Sequence, residues 1–158
     1  MLIERLQSAG YEHYEISNWG KPHFHSRHNS SYWEGIPYLG IGAGAHSFDG
    51  NSRQWNPNSL EEYFEGIISH NPIFEKETLT SNQRYNEMEM TGLRTVKGIN
   101  FKQLEIIFGK HRLEYCKNNA RPHIEAGRLE LYNDENSMRL TRNGLFVSDD
   151  IMSDLMIL

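Results

Sequence analysis

Two short runs leave this chain few folds to choose from. Arg128-Leu-Glu-Leu-Tyr132 and Met138-Arg-Leu-Thr141 flank the polar turn Asn133-Asp-Glu-Asn136. Strand-like runs separated by such a turn read as a β-hairpin. Helical patterns precede it. Residues 81–96 carry Met88, Met90 and Leu93, with Gly92 as an interruption. Residues 101–108 form a short pattern, and 111–126 a longer one that Pro122 interrupts. A last helix is expected after Gly144. Three helices, a hairpin and a final helix make a winged-helix pattern over residues 81–158. The Met residues at 88, 90 and 138 and Phe101 and Phe108 are expected in its core.

The first part of the chain has a different texture. Residues 1–10 read as the end of an amphipathic helix, with Leu2, Ile3 and Leu6 on one side and Gly10 as its stop. Residues 11–16 alternate and read as a strand. Residues 17–31 read as a polar loop with Gly20 and Pro22 as breakers. Residues 38–46 are apolar and glycine-rich, and read as a buried strand running into a turn. Residues 59–69, SLEEYFEGIIS, read as a helix with Ser59 and Glu62 as a capping box. Leu60, Tyr63, Phe64, Ile67 and Ile68 form its apolar stripe. Residues 70–80 look like a linker with Pro72. One helix and two strands cannot close a sheet or barrel, and a two-stranded piece is marginal in water. The first part is therefore expected to be the tail of a larger α/β unit.

Composition narrows the function classes. The chain has 158 residues, 37% of them hydrophobic, and a mean hydropathy of −0.68. No stretch approaches the roughly 18 apolar residues that span a bilayer. The first residues, Met-Leu-Ile-Glu-Arg-Leu, lack the basic start and apolar core of a signal peptide. Cys116 is the only cysteine, so no internal disulfide or thiolate metal cage is expected, and the cytoplasm is the natural compartment. A net charge of −5 argues against a general polyanion binder.

Residues 23–48, HFHSRHNSSYWEGIPYLGIGAGAHSF, hold four of the eight histidines and a glycine run. His23, His25 and His28 share a metal only if their segment folds back on itself; otherwise they are solvated. No metal site is assigned. His28-Asn29-Ser30-Ser31-Tyr32-Trp33 combines an imidazole, an amide, a phenol and an indole. It can grip a flat amphipathic ring, or simply anchor and cap its own segment. The run Gly40–Ala45 lets a backbone approach a cofactor, or allows tight packing. It lacks the full dinucleotide fingerprint. Asp149-Asp150 belongs on a solvated face.

Taken together, several motifs resemble a known family. They are Ala9-Gly10-Tyr11, Tyr14-Glu15-Ile16-Ser17-Asn18, Ser26-Arg27-His28-Asn29, Tyr32-Trp33 and the run from Tyr38 to Ser47. Met90-Thr91-Gly92-Leu93-Arg94, Lys97-Gly98-Ile99 and Leu140-Thr141-x-x-Gly144 add to them. The combination resembles the HemW family of radical S-adenosylmethionine (SAM) proteins, related to oxygen-independent coproporphyrinogen III oxidase.

The resemblance implies an α+β chain: residues 1–58 as the end of a radical SAM (β/α) barrel, 59–80 as helix and linker, and 81–158 as a helical winged-helix-like domain with a β-hairpin. It implies a role in porphyrin and haem metabolism, through haem binding and transfer or coproporphyrinogen III oxidation by the parent. His28, Asn29 and Tyr32 match the family's haem-associated His-Asn-x-x-Tyr motif. His28 would be an axial ligand, and Tyr32 a second ligand or hydrogen-bond partner. Trp33 or Tyr38 would be available to pack on the macrocycle. Ile41, Gly42, Ala43, Gly44 and Ala45 are carried over as a region at the edge of the SAM site.

The family's Cys-x-x-x-Cys-x-x-Cys motif, which holds a [4Fe–4S] cluster, is absent. Cys116 does not replace it. The resemblance therefore implies a fragment whose N-terminal barrel portion is missing, with no cluster, no assigned catalytic residue and no activity alone. A rival reading is a winged helix that binds nucleic acid or docks a protein. Residues 111–126 offer Arg112, Lys117 and Arg121, but Glu114 and Glu125 dilute them and the hairpin is acidic.

Overall fold

The expected hairpin is formed by β7 (Leu129–Tyr132) and β8 (Ser137–Leu140) in the computed structural model, which describes residues 2–158. Leu129 pairs with Leu140, Leu131 with Met138 and Tyr132 with Ser137. A short strand, β6 (Ile99–Asn100), pairs antiparallel with the other side of β8, giving the order β6-β8-β7. Helices α4 (Ser81–Leu93), α5 (Phe101–Phe108), α6 (Lys110–Glu125) and α7 (Ser148–Leu155) accompany this sheet, with a 3-10 turn at Gly144–Val147 before α7. The winged-helix pattern is therefore present. Its core joins Tyr85, Leu93, Leu104, Leu113, Cys116, Met138, Ile151 and Leu155, all buried. Met138 lies on the central strand and is completely inaccessible. Asn100 starts α5 by accepting a hydrogen bond from Gln103 N at 2.9 Å. Pro122 is accommodated inside α6.

Two compact units divide the chain. One joins Met1–Glu34 with Tyr85–Leu158; the other is Gly35–Arg84. In the first, α1 (Leu2–Ser8) leads into β1 (Glu12–Glu15), which pairs with β2 (Asn18–Gly20). Gly10, at φ 81°, supplies the left-handed turn between α1 and β1. The far side of β1 meets the residues after α4. Ile16 N donates to Arg94 O at 2.9 Å, Val96 N donates to Tyr14 O at 3.2 Å, and Glu15 bridges to Thr95. Residues 17–31, expected as a loop, instead contain β2 and most of a helix, α2 (Arg27–Trp33).

The second unit holds β3 (His46–Phe48), β4 (Ser52–Trp55), α3 (Leu60–Ile68) and β5 (Glu75–Thr78), with the sheet order β3-β4-β5. Asp49 closes the β3–β4 turn. It accepts from Ser52 N, Ser52 Oγ and Asn51 N at 2.6, 2.6 and 2.9 Å, and these bonds hold its carboxyl well below the usual range. Ser59 caps α3 as expected, accepting from Glu62 N. Two expectations fail here. The supposed linker contains β5, which pairs with β4 along its whole length. The supposed buried strand at 38–46 is mostly irregular and half-buried, with Leu39 and Ile41 exposed. Gly42 and Gly44 have φ of 113° and 67°, which breaks an extended run, and Ile41 is 82% exposed. Among the described residues no helix is long and apolar enough to cross a membrane.

Candidate functional site

Helix α2 carries His28, Asn29 and Tyr32. It forms because Ser26 caps it: the Ser26 hydroxyl accepts from Asn29 N at 3.2 Å, and Ser30 N donates to Ser26 O at 3.0 Å. At about 100° per residue, positions 28, 29 and 32 fall within roughly one third of the helix circumference. His28 and Tyr32 touch edge to face, with ring centroids 5.0 Å apart. Both are exposed and Asn29 is half-buried. The helix thus brings the three residues onto one open face. No residue of α2 is fully buried.

The surroundings of α2 are built from aromatic and charged contacts. Before it, His25 stacks on Tyr14 at 4.3 Å, and its Nε2 lies 2.8 Å from Glu12 Oε2. Ser26 N donates to Tyr14 OH at 3.4 Å. After it, the Arg94 guanidinium lies over the Trp33 ring, 5.0 Å from the centroid. Glu34 pairs with Lys97. Trp33, expected to be available to a macrocycle, therefore has Arg94 over one face. No sequence pattern signals this contact, because its partners lie some sixty positions apart; only the Met90–Arg94 motif marks the region.

The histidine cluster does not assemble into a metal centre. Among the described residues no group of three or more His, Cys, Asp or Glu side chains is placed to hold an ion. His23 is exposed with φ of 68°, and His46 pairs with Trp55 across β3 and β4. Their rings lie 6.0 Å apart.

The turn Ile41–Ala45 spends its polar backbone on itself and its neighbours. Asn56 Nδ2 donates to Gly42 O at 2.9 Å, Gly42 N donates to Tyr63 OH at 3.1 Å, and Gly44 N donates to Pro57 O at 2.8 Å. A Cβ at Gly40 would overlap the backbone of His46. The glycines are thus explained by the turn itself. Nearby, apolar side chains stand in solvent: Leu39 at 76%, and Leu60, Phe64, Ile67 and Ile68 on α3. The apolar stripe on α3 exists, and most of it faces outward: Leu60, Phe64, Ile67 and Ile68 are all at least half exposed.

Two cations of the winged-helix surface are engaged within the chain. Lys117 Nζ lies 4.8 Å over the Phe101 ring, and Arg139 Nε is 2.7 Å from Glu130 Oε1.

Comparison with known proteins finds relatives for this chain. Residues 79–147 match the HemN C-terminal domain. The chain is 30% identical to the heme chaperone HemW of Lactococcus lactis, over 99% of this chain and 40% of that protein. It is 32% identical to the heme chaperone HemW of Synechocystis, over 85% of this chain and 33% of that protein. The fold superimposes on coproporphyrinogen III oxidase (HemN) from Escherichia coli, described as a radical SAM enzyme. The TM-score is 0.69 at 16% identity, over 98% of this chain and 39% of that one. The chain spans about 40% of the length of its HemW relatives. Along nearly its whole length the chain is similar to HemW heme chaperones, and its match to the HemN C-terminal domain is consistent with the C-terminal part of a HemW-like radical SAM protein.

Proposed function

We propose that this chain is the haem-holding part of a HemW-like protein that works in porphyrin and haem metabolism. His28 would ligate the haem iron, Tyr32 would be a second ligand or hydrogen-bond partner, and Asn29 would support them from the same face. The observation that carries the proposal is the exposed pair His28 and Tyr32, in ring contact on one capped helix. The donor set fits haem. Neutral imidazole and tyrosinate both ligate haem iron, and an exposed helix face leaves room for a flat macrocycle. When bound, haem would supply an iron that accepts a nitrogen or oxygen donor; the chain's own part is to hold and orient His28 and Tyr32.

The catalytic apparatus is assigned to the longer parent. A three-cysteine motif and a [4Fe–4S] cluster would lie there, together with SAM. The turn Ile41–Ala45 is assigned to the edge of that SAM site. The exposed apolar stripe on α3 supports an interface with the N-terminal barrel portion, because about 60% of each relative lies outside the match. In this reading residues 1–58 complete the barrel, 59–80 connect, and 81–158 form the HemN C-terminal domain. The compartment is the cytoplasm, and whether the parent transfers haem or oxidises coproporphyrinogen III is decided by its other residues. Nucleic-acid binding is not favoured, given how Lys117 and Arg139 are engaged.

Absorption titration with hemin tests the proposal. The wild type shifts the Soret band, and His28→Ala and Tyr32→Phe each weaken the shift. His70→Ala, on the exposed residue after α3, leaves it unchanged. Equal binding by all four proteins would reject α2 as the site.

A further inference from the structure

We infer that Arg94 is a positioning residue for α2, so that the HemN C-terminal domain holds the helix that carries His28 and Tyr32. The inference rests on the haem reading for its functional consequence, while its structural half stands independently.

A helix of seven residues without one fully buried side chain cannot hold itself together in water. Its order must come from contacts at its two ends. Both ends lead to the same place. The N-terminal end rests on Tyr14 of β1, through the Ser26 amide and the stacked His25 ring. The C-terminal end rests on residues 94–97, through Arg94 over Trp33 and Lys97 beside Glu34. Residues 94–96 are in turn stitched to β1 by backbone bonds from Ile16 and Val96. Arg94 falls within the residues that match the HemN C-terminal domain.

Of the two cationic contacts, Arg94 carries the weight. Lys97 is 75% exposed, and a pair so open to solvent contributes little. Trp33 Nε1 and Arg94 Nε are both buried without a hydrogen-bond partner among the described residues. The contact is therefore partly shielded from water, which favours a cation over an indole face. Trp33 directly follows Tyr32. Fixing the indole fixes the rotation of α2, and with it the direction in which positions 28, 29 and 32 face. Preorganised donors bind more tightly than donors that must first be ordered.

The test compares wild type, Arg94→Gln and Arg94→Lys by amide hydrogen exchange and by hemin titration. In Arg94→Gln, amides of residues 27–34 should exchange about tenfold faster while those of α6 keep their protection. Hemin affinity should fall by about tenfold with an unchanged Soret position, and Arg94→Lys should recover most of both effects. The loss of affinity should vanish in a His28→Ala background, because both changes act on one contact. Unchanged exchange in α2 would overturn the inference. So would equal acceleration in α6, which would make Arg94 a general support of the core. If wild type takes up no hemin while α2 still responds to Arg94→Gln, the haem reading fails and the positioning role stands.

Discussion

Replacing Glu89 by glutamine should abolish a steep loss of stability at alkaline pH. Glu89 lies in the middle of α4, fully inaccessible, and neither carboxyl oxygen has a hydrogen-bond partner among the described residues. Burial pushes its pKa from 4.5 up to about 9. The folded protein therefore keeps a proton there that the unfolded chain has already released. Stability from this group is complete below the unfolded value and declines as pH rises toward the folded one. Each pH unit between the two costs about 1.4 kcal/mol, so three units across the neutral range cost about 4 kcal/mol. That is a large share of the stability of a typical domain.

The assay is urea unfolding of wild type and Glu89→Gln at several pH values from about 5.5 to 8.5. Any other group that titrates in this window contributes to both proteins and cancels in the difference. Asp49, held ionised by its hydrogen bonds, titrates below the window. The difference should grow in favour of Glu89→Gln as pH rises, reaching about 4 kcal/mol. Parallel stability curves would refute the idea that Glu89 is protonated in the native core.

Two further outcomes follow from the same core. Gly98→Ala should destabilise the chain by more than about 2 kcal/mol in thermal or urea unfolding, because Gly98 sits at φ 58° and a Cβ would overlap the Met138 carbonyl oxygen. Cys116 is inaccessible and burial pushes its thiol up to about 12, so a thiol reagent at mildly alkaline pH should label it only at the rate of global unfolding. Labelling faster than unfolding would show that the core around α6 opens locally.

The parts legible in the sequence are those where a local rule and the tertiary structure agree. The hairpin at 128–141 alternates, and its turn residues Asn133 and Asp134 tolerate the left-handed φ of 59° and 53° that they adopt. Ser59 caps α3 and Phe101–Phe108 forms a helix, as their patterns say. Helix α2 was not legible. Arg-His-Asn-Ser-Ser-Tyr-Trp has no apolar stripe, and what orders it is a serine cap and contacts from distant Arg94 and Lys97. Strand β5, Glu-Lys-Glu-Thr, has no alternation and every residue is exposed; its register comes from pairing with β4, where Arg53 faces Glu77. Residues 38–46 misled in the opposite direction. Their apolar composition suggested burial, yet Leu39 and Ile41 are exposed on a turn. For the candidate site, the residue types of positions 28, 29 and 32 were visible, while their shared helical face required α2.

Paramagnetic NMR locates the ligand most directly. Hemin, with its paramagnetic iron, would be compared with zinc protoporphyrin of the same shape on the isotope-labelled chain. If α2 holds haem, hemin should broaden the amides of residues 27–33 first, with zinc protoporphyrin shifting the same signals without loss. His28→Ala should remove both effects there. Broadening centred on Leu39, Ile41 and the α3 stripe, with α2 untouched, would mean that hemin merely adheres to exposed apolar surface, and would contradict the assignment of His28 and Tyr32.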